Sequence, residues 1–253
     1  MAIPEILTSI LAIITAGVAG LVGSFALMKR MSLAGDVMSH IALPGLGIAL
    51  SFHMNPGVGA GATLLIGALL IWQLQKGSTL ANDAAIGVIF TGAVALGTIL
   101  TPSEELLDAL FGGFGTLTLS EFALGIGAAL LATLFIFRFK DQLVLSIFSE
   151  SLARTAGIRV NALNLGYLLV FSLVILLGLK FLGTILVGAL IIIPAAVGRK
   201  ISHRLGGFLA ASSIASIIAT ITGLSAHRFF ALPLGPAIIT AATLLFLLAL
   251  LIK

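Results

Sequence analysis

The chain has 253 residues, of which 60% are hydrophobic and only 9% are charged, and its formal net charge is +4. A soluble domain usually carries about 25% charged residues, so this composition excludes an ordinary soluble protein and indicates an integral membrane protein. The apolar runs are long and do not alternate in polarity, which excludes an outer-membrane β-barrel and predicts an all-α, polytopic bundle of transmembrane helices. The absence of cysteine excludes disulfides and thiolate metal sites.

Nine apolar segments are candidate membrane spans, because about 20 helical residues cross a hydrocarbon core of about 30 Å. The sixth and seventh are separated only by the sequence GLKFLG, so we expect a bundle of eight or nine helices. The predicted spans cover residues 6–28, 32–52, 58–75, 84–101, 119–137, 162–179, 181–198, 207–224 and 233–252.

The distribution of positive charge predicts the orientation of these spans. With the N-terminus outside and the C-terminus inside, only Lys180 and Arg228 fall on the outer side. Such an excess of Lys and Arg on the cytoplasmic side is the bias that orients membrane helices. The cytoplasmic set is Lys29, Arg30, Lys76, Arg138, Lys140, Arg154, Arg159, Arg199, Lys200, Arg204 and Lys253.

Glycine is abundant inside the spans, and two interpretations of it remain open. Small residues allow helix backbones to approach closely in lipid, whereas glycine-rich or proline-containing stretches can also mark broken helices beside a transport path. The stretch 111–118 (FGGFGTLT) and Pro44-Gly45 in the second span favour the second interpretation. A proline within a helix removes a backbone hydrogen bond and kinks the helix.

The second span begins with two polar side chains, Asp36 and His40, which lie four residues apart. That spacing places them on one helix face, about 6 Å apart at Cβ. A carboxylate at the bilayer centre costs about 2.5–3.5 kcal/mol on insertion scales, so the pair needs a partner or a function. Three interpretations compete: a divalent-cation site, a structural pair in which Asp36 accepts a hydrogen bond from His40, and a proton relay.

The other histidines are weaker candidates. His53 and His227 fall near the outer ends of spans two and eight, and His203 lies in a basic cytoplasmic turn. Each is expected to be solvated or interfacial, although His53 and His227 could assist cations at an entrance. Asp83 is explained by capping at the start of span four.

A more polar segment, residues 146–160, joins spans five and six on the cytoplasmic side. Ser149 can cap a short helix that runs to Gly157, and Glu150 and Arg154 have the spacing of a stabilising helical ion pair. Leu152, together with neighbouring alanines, gives this helix an apolar side, so we expect it to dock against another molecule in the cytoplasm.

Several stretches, in order along the chain, resemble the permease subunits of zinc/manganese ATP-binding-cassette importers. The stretch GSFALMKRMSLAGDVMSHIALPGLGIAL, residues 23–50, has the G-S-F, basic-R-M-S, G-D and H elements of that family in register. Residues 149–169 (SESLARTAGIRVNALNLGYLL) are similar to its cytoplasmic coupling segment, and residues 180–202 (KFLGTILVGALIIIPAAVGRKIS) to its late helix pair. The likeness covers nearly the whole chain.

The resemblance implies a single permease domain over residues 1–253, located in the inner (plasma) membrane as a multi-pass protein. It also implies a homodimer, cytoplasmic ATP-binding subunits and an extracytoplasmic metal-binding protein. By the same resemblance, Asp36 and His40 are the metal ligands, and Glu150, Ala153 and Gly157 couple the chain to the ATPase. Relatives often carry an acidic residue before the last helix, where this chain has Phe230-Ala231-Leu232-Pro233.

The expected function is therefore the membrane-spanning subunit of an ATP-driven importer for a divalent metal, with zinc favoured and manganese or iron as alternatives. The chain itself is not expected to be an enzyme or to hold a resident cofactor, because it contains no phosphate-binding G-x-x-x-x-G-K-[ST] motif. The principal alternative is a proton-coupled secondary metal transporter that uses Asp36 and His40 as a relay. A non-transporting membrane scaffold is the least favoured interpretation.

Overall fold

The structure, a computed structural model, describes residues 3–31, 34–77, 82–101, 110 and 117–251, and every regular element in this part of the chain is helical. The helices are α1 (Ile3–Met28), α2 (Ala34–Ser51), α3 (Pro56–Gly77), α4 (Asn82–Leu100), α5 (Leu119–Phe148), α6 (Glu150–Thr155), α7 (Val160–Ile201), α8 (Leu205–Phe230) and α9 (Leu234–Leu251). The all-α prediction is confirmed.

Seven of the helical segments in the described residues are long and apolar enough to cross a membrane. Helix α7 contributes two of them, Val160–Lys180 and Leu182–Ile201, and this division confirms the predicted split at GLKFLG. The helix is interrupted at Gly183, whose φ of 68° and ψ of −178° are accessible to glycine and not to other residues. Helix α2, which carries Asp36 and His40, is not among the seven, and α4 has only a shorter apolar stretch, Gly87–Leu100.

Two predicted features differ from the structure. The fifth predicted span, 119–137, stops at the first charge, whereas α5 continues to Phe148 and so extends beyond the apolar stretch. Pro44 does not end α2, and Gly45 lies against the backbone of Gly59 on α3, which fits the close-packing interpretation of this glycine. Of the predicted glycine-rich break at 111–118, residues 111–116 lie outside the described part of the chain.

Helix α1 lies at the centre of the bundle, where it packs against α5, α7 and α8. Its core side chains, such as Phe25, meet Phe171 and Tyr167 of α7 in one apolar cluster. Tyr167 is fully buried and donates a hydrogen bond from its hydroxyl to the Val22 carbonyl at 3.0 Å. A tyrosine in a membrane protein is expected at the lipid–water interface, but Tyr167 is buried instead, because its hydroxyl finds a main-chain acceptor inside the bundle.

Glycines allow α1 to approach its neighbours backbone to backbone. A methyl group at Gly20 would lie 2.7 Å from the Ser212 carbonyl carbon and 3.0 Å from the Ser213 Cα on α8. Real Cβ atoms do not approach main-chain atoms this closely, so α1 and α8 can pack as they do only with glycine at position 20.

We expect Gly20→Ala to destabilise the bundle by about 1–3 kcal/mol, because the added methyl must push two packed backbones apart. The measurement is the thermal unfolding midpoint of the purified protein in detergent. Gly127→Ala on α5 is the matched control, since a methyl there meets no atom within 4 Å. Equal midpoints for the two variants would contradict the packing described here.

Candidate functional site

Asp36 and His40 occupy the first two turns of α2, on the same side of the helix. The His40 Nδ1 atom lies 3.6 Å from the Asp36 Oδ1 atom, so the two polar groups converge as their spacing predicted. The Asp36 side chain is 51% exposed and the His40 side chain is 14% exposed in the single chain. The carboxylate is therefore accessible, while the imidazole is held within the protein.

The orientation of the His40 ring is determined by the main chain of Asp36. His40 Nδ1 lies 2.9 Å from the Asp36 carbonyl oxygen. Because a carbonyl can only accept a hydrogen bond, Nδ1 carries the proton in this contact, and in the neutral ring Nε2 is left with its lone pair. Such a hydrogen bond from the second ring nitrogen is the usual support of a metal-binding histidine.

Two further side chains hold this turn of α2 in place. The buried Ser39 hydroxyl donates to the same Asp36 carbonyl at 2.7 Å, so that this oxygen accepts two hydrogen bonds. The ring of Phe90 on α4 meets the His40 ring edge to face, with the centroids 5.2 Å apart. The imidazole plane is therefore fixed on one side by its own helix and on another by α4.

The interpretation of Asp36 and His40 as a structural pair loses support from this geometry. The Nδ1 proton is directed to the main-chain carbonyl, and 3.6 Å exceeds hydrogen-bonding distance between the ring nitrogen and the carboxylate oxygen. The carboxylate oxygens thus keep their lone pairs. What the pair presents is one carboxylate and one imidazole nitrogen, a donor set suited to zinc, manganese or ferrous iron.

Within the described part of the chain, no cluster of three or more His, Cys, Asp or Glu residues could hold a metal ion. The other histidines do not join the pair: His53 lies in the turn after α2, His203 between α7 and α8, and His227 in the last turn of α8. All three are exposed, and His227 Nδ1 is 2.5 Å from the Leu232 carbonyl oxygen. Among the described residues, Asp36 and His40 therefore offer two potential ligands to a metal ion, with no third such residue beside them.

The predicted cytoplasmic helix is α6, and its first residues are placed as the sequence indicated. Ser149 is its N-cap, with the hydroxyl accepting from the Leu152 main-chain nitrogen at 3.3 Å. The Arg154 guanidinium donates to the Glu150 carboxylate at 2.6 Å. Both side chains of this ion pair are more than half exposed, so it stabilises the helix only weakly.

Helix α6 ends in a Schellman motif centred on Gly157. The Gly157 nitrogen donates to the Arg154 carbonyl and the Ile158 nitrogen donates to the Ala153 carbonyl, both at 3.0 Å. Gly157 has a φ of 78°, the left-handed conformation that this motif requires at the residue after the cap. The glycine is thus needed to turn the chain into α7.

The three residues assigned to ATPase coupling by resemblance do not share one surface. Glu150 and Gly157 are exposed, but Ala153 is fully buried within the chain. Ala153 fixes α6 to the rest of the protein, and Leu152 and Phe148 are the large apolar side chains that project from this segment into solvent. An external partner would contact these exposed groups.

A polar network around the first turns of α7 was not predicted from the sequence. Lys29, at the end of α1, donates from Nζ to the Asn164 side-chain oxygen at 2.5 Å and lies 5.0 Å from the centre of the Tyr167 ring. Burial lowers the pKa of Lys29 to about 8. Trp72 on α3 donates to the Asn161 carbonyl at 2.8 Å, so the first turns of α7 connect to both α1 and α3.

The sequence contained one signal of this network that we interpreted differently. Lys29 is one of the charges that predict the membrane orientation. An exposed lysine at the end of a span would fit that pattern equally well, so the pattern does not predict its burial. Only its position within the basic-R-M-S element distinguishes it from the other cations predicted to be cytoplasmic.

Comparison with known proteins places this geometry in context. Residues 5–253 match the ABC 3 transport family (ABC-3). The chain is 32% identical over 236 residues to the manganese transport system membrane protein MntC of Listeria monocytogenes, covering 92% of this chain and 84% of that protein. It is 28% identical over 254 residues to the high-affinity zinc uptake system membrane protein ZnuB of Haemophilus influenzae, covering 98% and 95%.

Among solved structures, PsaBC from Streptococcus pneumoniae in complex with Fab is similar to this chain, with a TM-score of 0.85 and 30% sequence identity. The similarity covers 97% of this chain and 90% of that chain. The helical arrangement described above is therefore shared over nearly its whole length.

We expect Gly157→Ala to fray the end of α6, because a Cβ atom makes the left-handed conformation cost about 1–2 kcal/mol. Gly157→Asn should be tolerated better, since asparagine adopts this conformation more readily. Hydrogen exchange of the Gly157 and Ile158 amides measures the effect, with faster exchange in the alanine variant than in the asparagine variant. Unchanged protection in both variants would rule out the structural role of Gly157.

Proposed function

Because the chain belongs to the ABC-3 transport family, we propose that it forms the membrane path of an ATP-driven importer for a divalent transition metal, Zn²⁺ or Mn²⁺. It is a multi-pass, non-catalytic membrane subunit of a metal importer, and this role implies partners that hydrolyse ATP and that deliver the ion. The transported ion is the substrate of the complex, and Asp36 and His40 are the residues that bind it in transit.

The convergence of the Asp36 carboxylate and the His40 ring is the observation that carries this proposal. The two groups lie 3.6 Å apart, and the main-chain hydrogen bond leaves His40 Nε2 free to bind a cation. A mixed oxygen and nitrogen donor set accepts both Zn²⁺ and Mn²⁺.

We propose that a second copy of the chain completes the site. Helix α4 packs against α2 and, to a smaller extent, α3, and the described residues place no other helix closely against its remaining face. This α4 face consists of small and apolar residues at helical spacing, of the kind that pack closely in membranes. Its members are Val88, Thr91, Gly92, Ala95, Leu96 and Ile99.

The exposure of Asp36 supports such a dimer. Its side chain is 51% exposed in the single chain, so the carboxylate is open to a ligand from a second copy. Two copies related by a twofold axis would bring two carboxylates and two imidazoles to one path, which is enough for a four-coordinate ion.

The ATP-hydrolysing partner would dock on the exposed side of α6. Phe148, Leu152 and the Glu150–Arg154 ion pair offer it an apolar contact bordered by charge. Movement of α6 would reach the first turns of α7 through the Schellman turn and then α1 through the contact between Asn164 and Lys29. Alternating access of the site to the two sides would follow from this movement, with the N-terminus of the chain outside.

We expect Asp36→Asn and His40→Gln to reduce ATP-dependent metal uptake at least tenfold, because each removes one ligand while nearly preserving side-chain size. The measurement is uptake of Zn²⁺ and of Mn²⁺ by proteoliposomes that contain the full transporter. Asp141→Asn is the control, since Asp141 is an exposed carboxylate on α5, away from the pair.

The same proteoliposomes distinguish the alternative, a proton-coupled secondary metal transporter. Metal uptake by this chain without its ATPase partner, driven by a proton gradient alone, would overturn the proposal. The relative uptake of the two ions decides between zinc, which we expect to be preferred, and manganese.

The absence of cysteine makes the α4 face directly testable. We expect a single Ala95→Cys substitution to give disulfide-linked dimers on mild oxidation in the membrane. Leu134→Cys is the matched control, because Leu134 is also exposed but lies on α5. Cross-linking of the α5 variant but not the α4 variant would place the dimer interface elsewhere.

A further inference from the structure

The first turn of α2 rests directly on the backbone of α7. A methyl group at Gly188 would lie 2.7 Å from the Asp36 nitrogen, 2.8 Å from the Gly35 carbonyl carbon and 2.9 Å from the Asp36 Cα. Gly35 and Gly188 are both buried, and they meet without side chains between them. The position of Asp36 is therefore defined by contact with main-chain atoms of α7 and not by an adaptable side chain.

Both candidate ligands depend on the main chain of Asp36. Its nitrogen and Cα face Gly188, its carbonyl orients His40 by accepting from Nδ1 at 2.9 Å, and its side chain is the carboxylate of the pair. The buried Ser39 hydroxyl donates a hydrogen bond to the same carbonyl and so restricts its position. A displacement of this one residue would move the carboxylate and the imidazole together.

Gly188 belongs to the second half of α7, which is separated from the first half by the interruption at Gly183. The bend is sharp, because the Val187 side chain packs against Gly178. Nine residues of uninterrupted helix would hold these positions about 13.5 Å apart along the axis. Near this bend, α7 is connected to α5 by an ion pair between Lys180 Nζ and Glu121 Oε2 at 3.0 Å.

We propose that Gly188 is the positioning residue of the cation pair, and that the second half of α7, pivoting at Gly183, sets the affinity of the site through the contact between Gly188 and Asp36. The proposal rests on the proposed function of Asp36 and His40 and adds how their geometry is controlled. A small shift of this half-helix moves the Asp36 carboxylate and the His40 ring out of the arrangement that binds a cation tightly, although both ligands remain present.

The test is Gly188→Ala in the full transporter, with Mn²⁺ binding measured per folded molecule. We expect the dissociation constant to rise at least tenfold, because the methyl displaces the backbone that carries both ligands. Gly35→Ala should give a smaller rise, since its methyl would lie 3.3 Å from the Gly188 Cα and oxygen. This milder variant keeps the test informative if Gly188→Ala does not fold.

Two controls separate positioning from stability. Gly20→Ala makes an equally tight clash with the α8 backbone, away from the site, so it should lower the thermal midpoint while leaving the Mn²⁺ affinity of the folded protein unchanged. Gly127→Ala, with open space around it, should change neither. The visible absorption spectrum of bound Co²⁺ supplies a second readout, which we expect to change for Gly188→Ala only among the Gly188, Gly20 and Gly127 variants.

The outcomes distinguish this proposal from the one on which it rests. Wild-type affinity in Gly188→Ala and Gly35→Ala, with binding lost in Asp36→Asn, overturns the positioning role and leaves the proposed function intact. An equal loss of affinity in Gly20→Ala and Gly188→Ala also overturns it, because the effect would then be general. Normal binding in Asp36→Asn and His40→Gln refutes the proposed function itself.

Discussion

The hydrogen bond from His40 Nδ1 to the Asp36 main-chain carbonyl is the interaction on which the chemistry of this chain depends. It commits the ring proton to the backbone, leaves Nε2 unprotonated in the neutral ring, and keeps the carboxylate out of a hydrogen bond with the imidazole. Without it, the His40 ring could donate a hydrogen bond to the Asp36 carboxylate, and fewer lone pairs would be available to bind a cation. With it, a four-residue spacing on α2 presents a carboxylate and an imidazole nitrogen, the two donors that the proposed metal site requires.

The rest of the bundle keeps that turn of α2 in one place. Phe90 on α4 restricts the orientation of the His40 ring, and Gly188 on α7 restricts the position of the Asp36 backbone. Since α7 is interrupted at Gly183, the part that touches Asp36 is a separate half-helix, while the first half connects through Asn164 and Lys29 to the C-terminal end of α1. The site and the expected docking helix α6 are thus joined to different halves of the same helix.

The sequence predicted those features that depend on nearby residues. Length and hydropathy located the helices, the spacing of Asp36 and His40 predicted their convergence, and Ser149 predicted the start of α6. Contacts between distant residues left no such pattern: nothing local places Gly188 against Asp36 or Asn164 against Lys29. The inward orientation of Ala153 and the burial of Tyr167 likewise follow from tertiary packing, and the continuation of α5 to Phe148 shows that a helix does not end where its apolar stretch ends.

The most direct test of the central claim, that the Asp36 carboxylate and the His40 Nε2 bind the transported ion, is X-ray absorption spectroscopy of Zn²⁺ bound to the purified transporter. We expect a shell of oxygen and nitrogen ligands near 2.0–2.1 Å with the outer-shell scattering of imidazole rings. That imidazole signal should disappear in His40→Gln. An imidazole signal that persists in this variant, or a wild-type spectrum without one, would contradict the account.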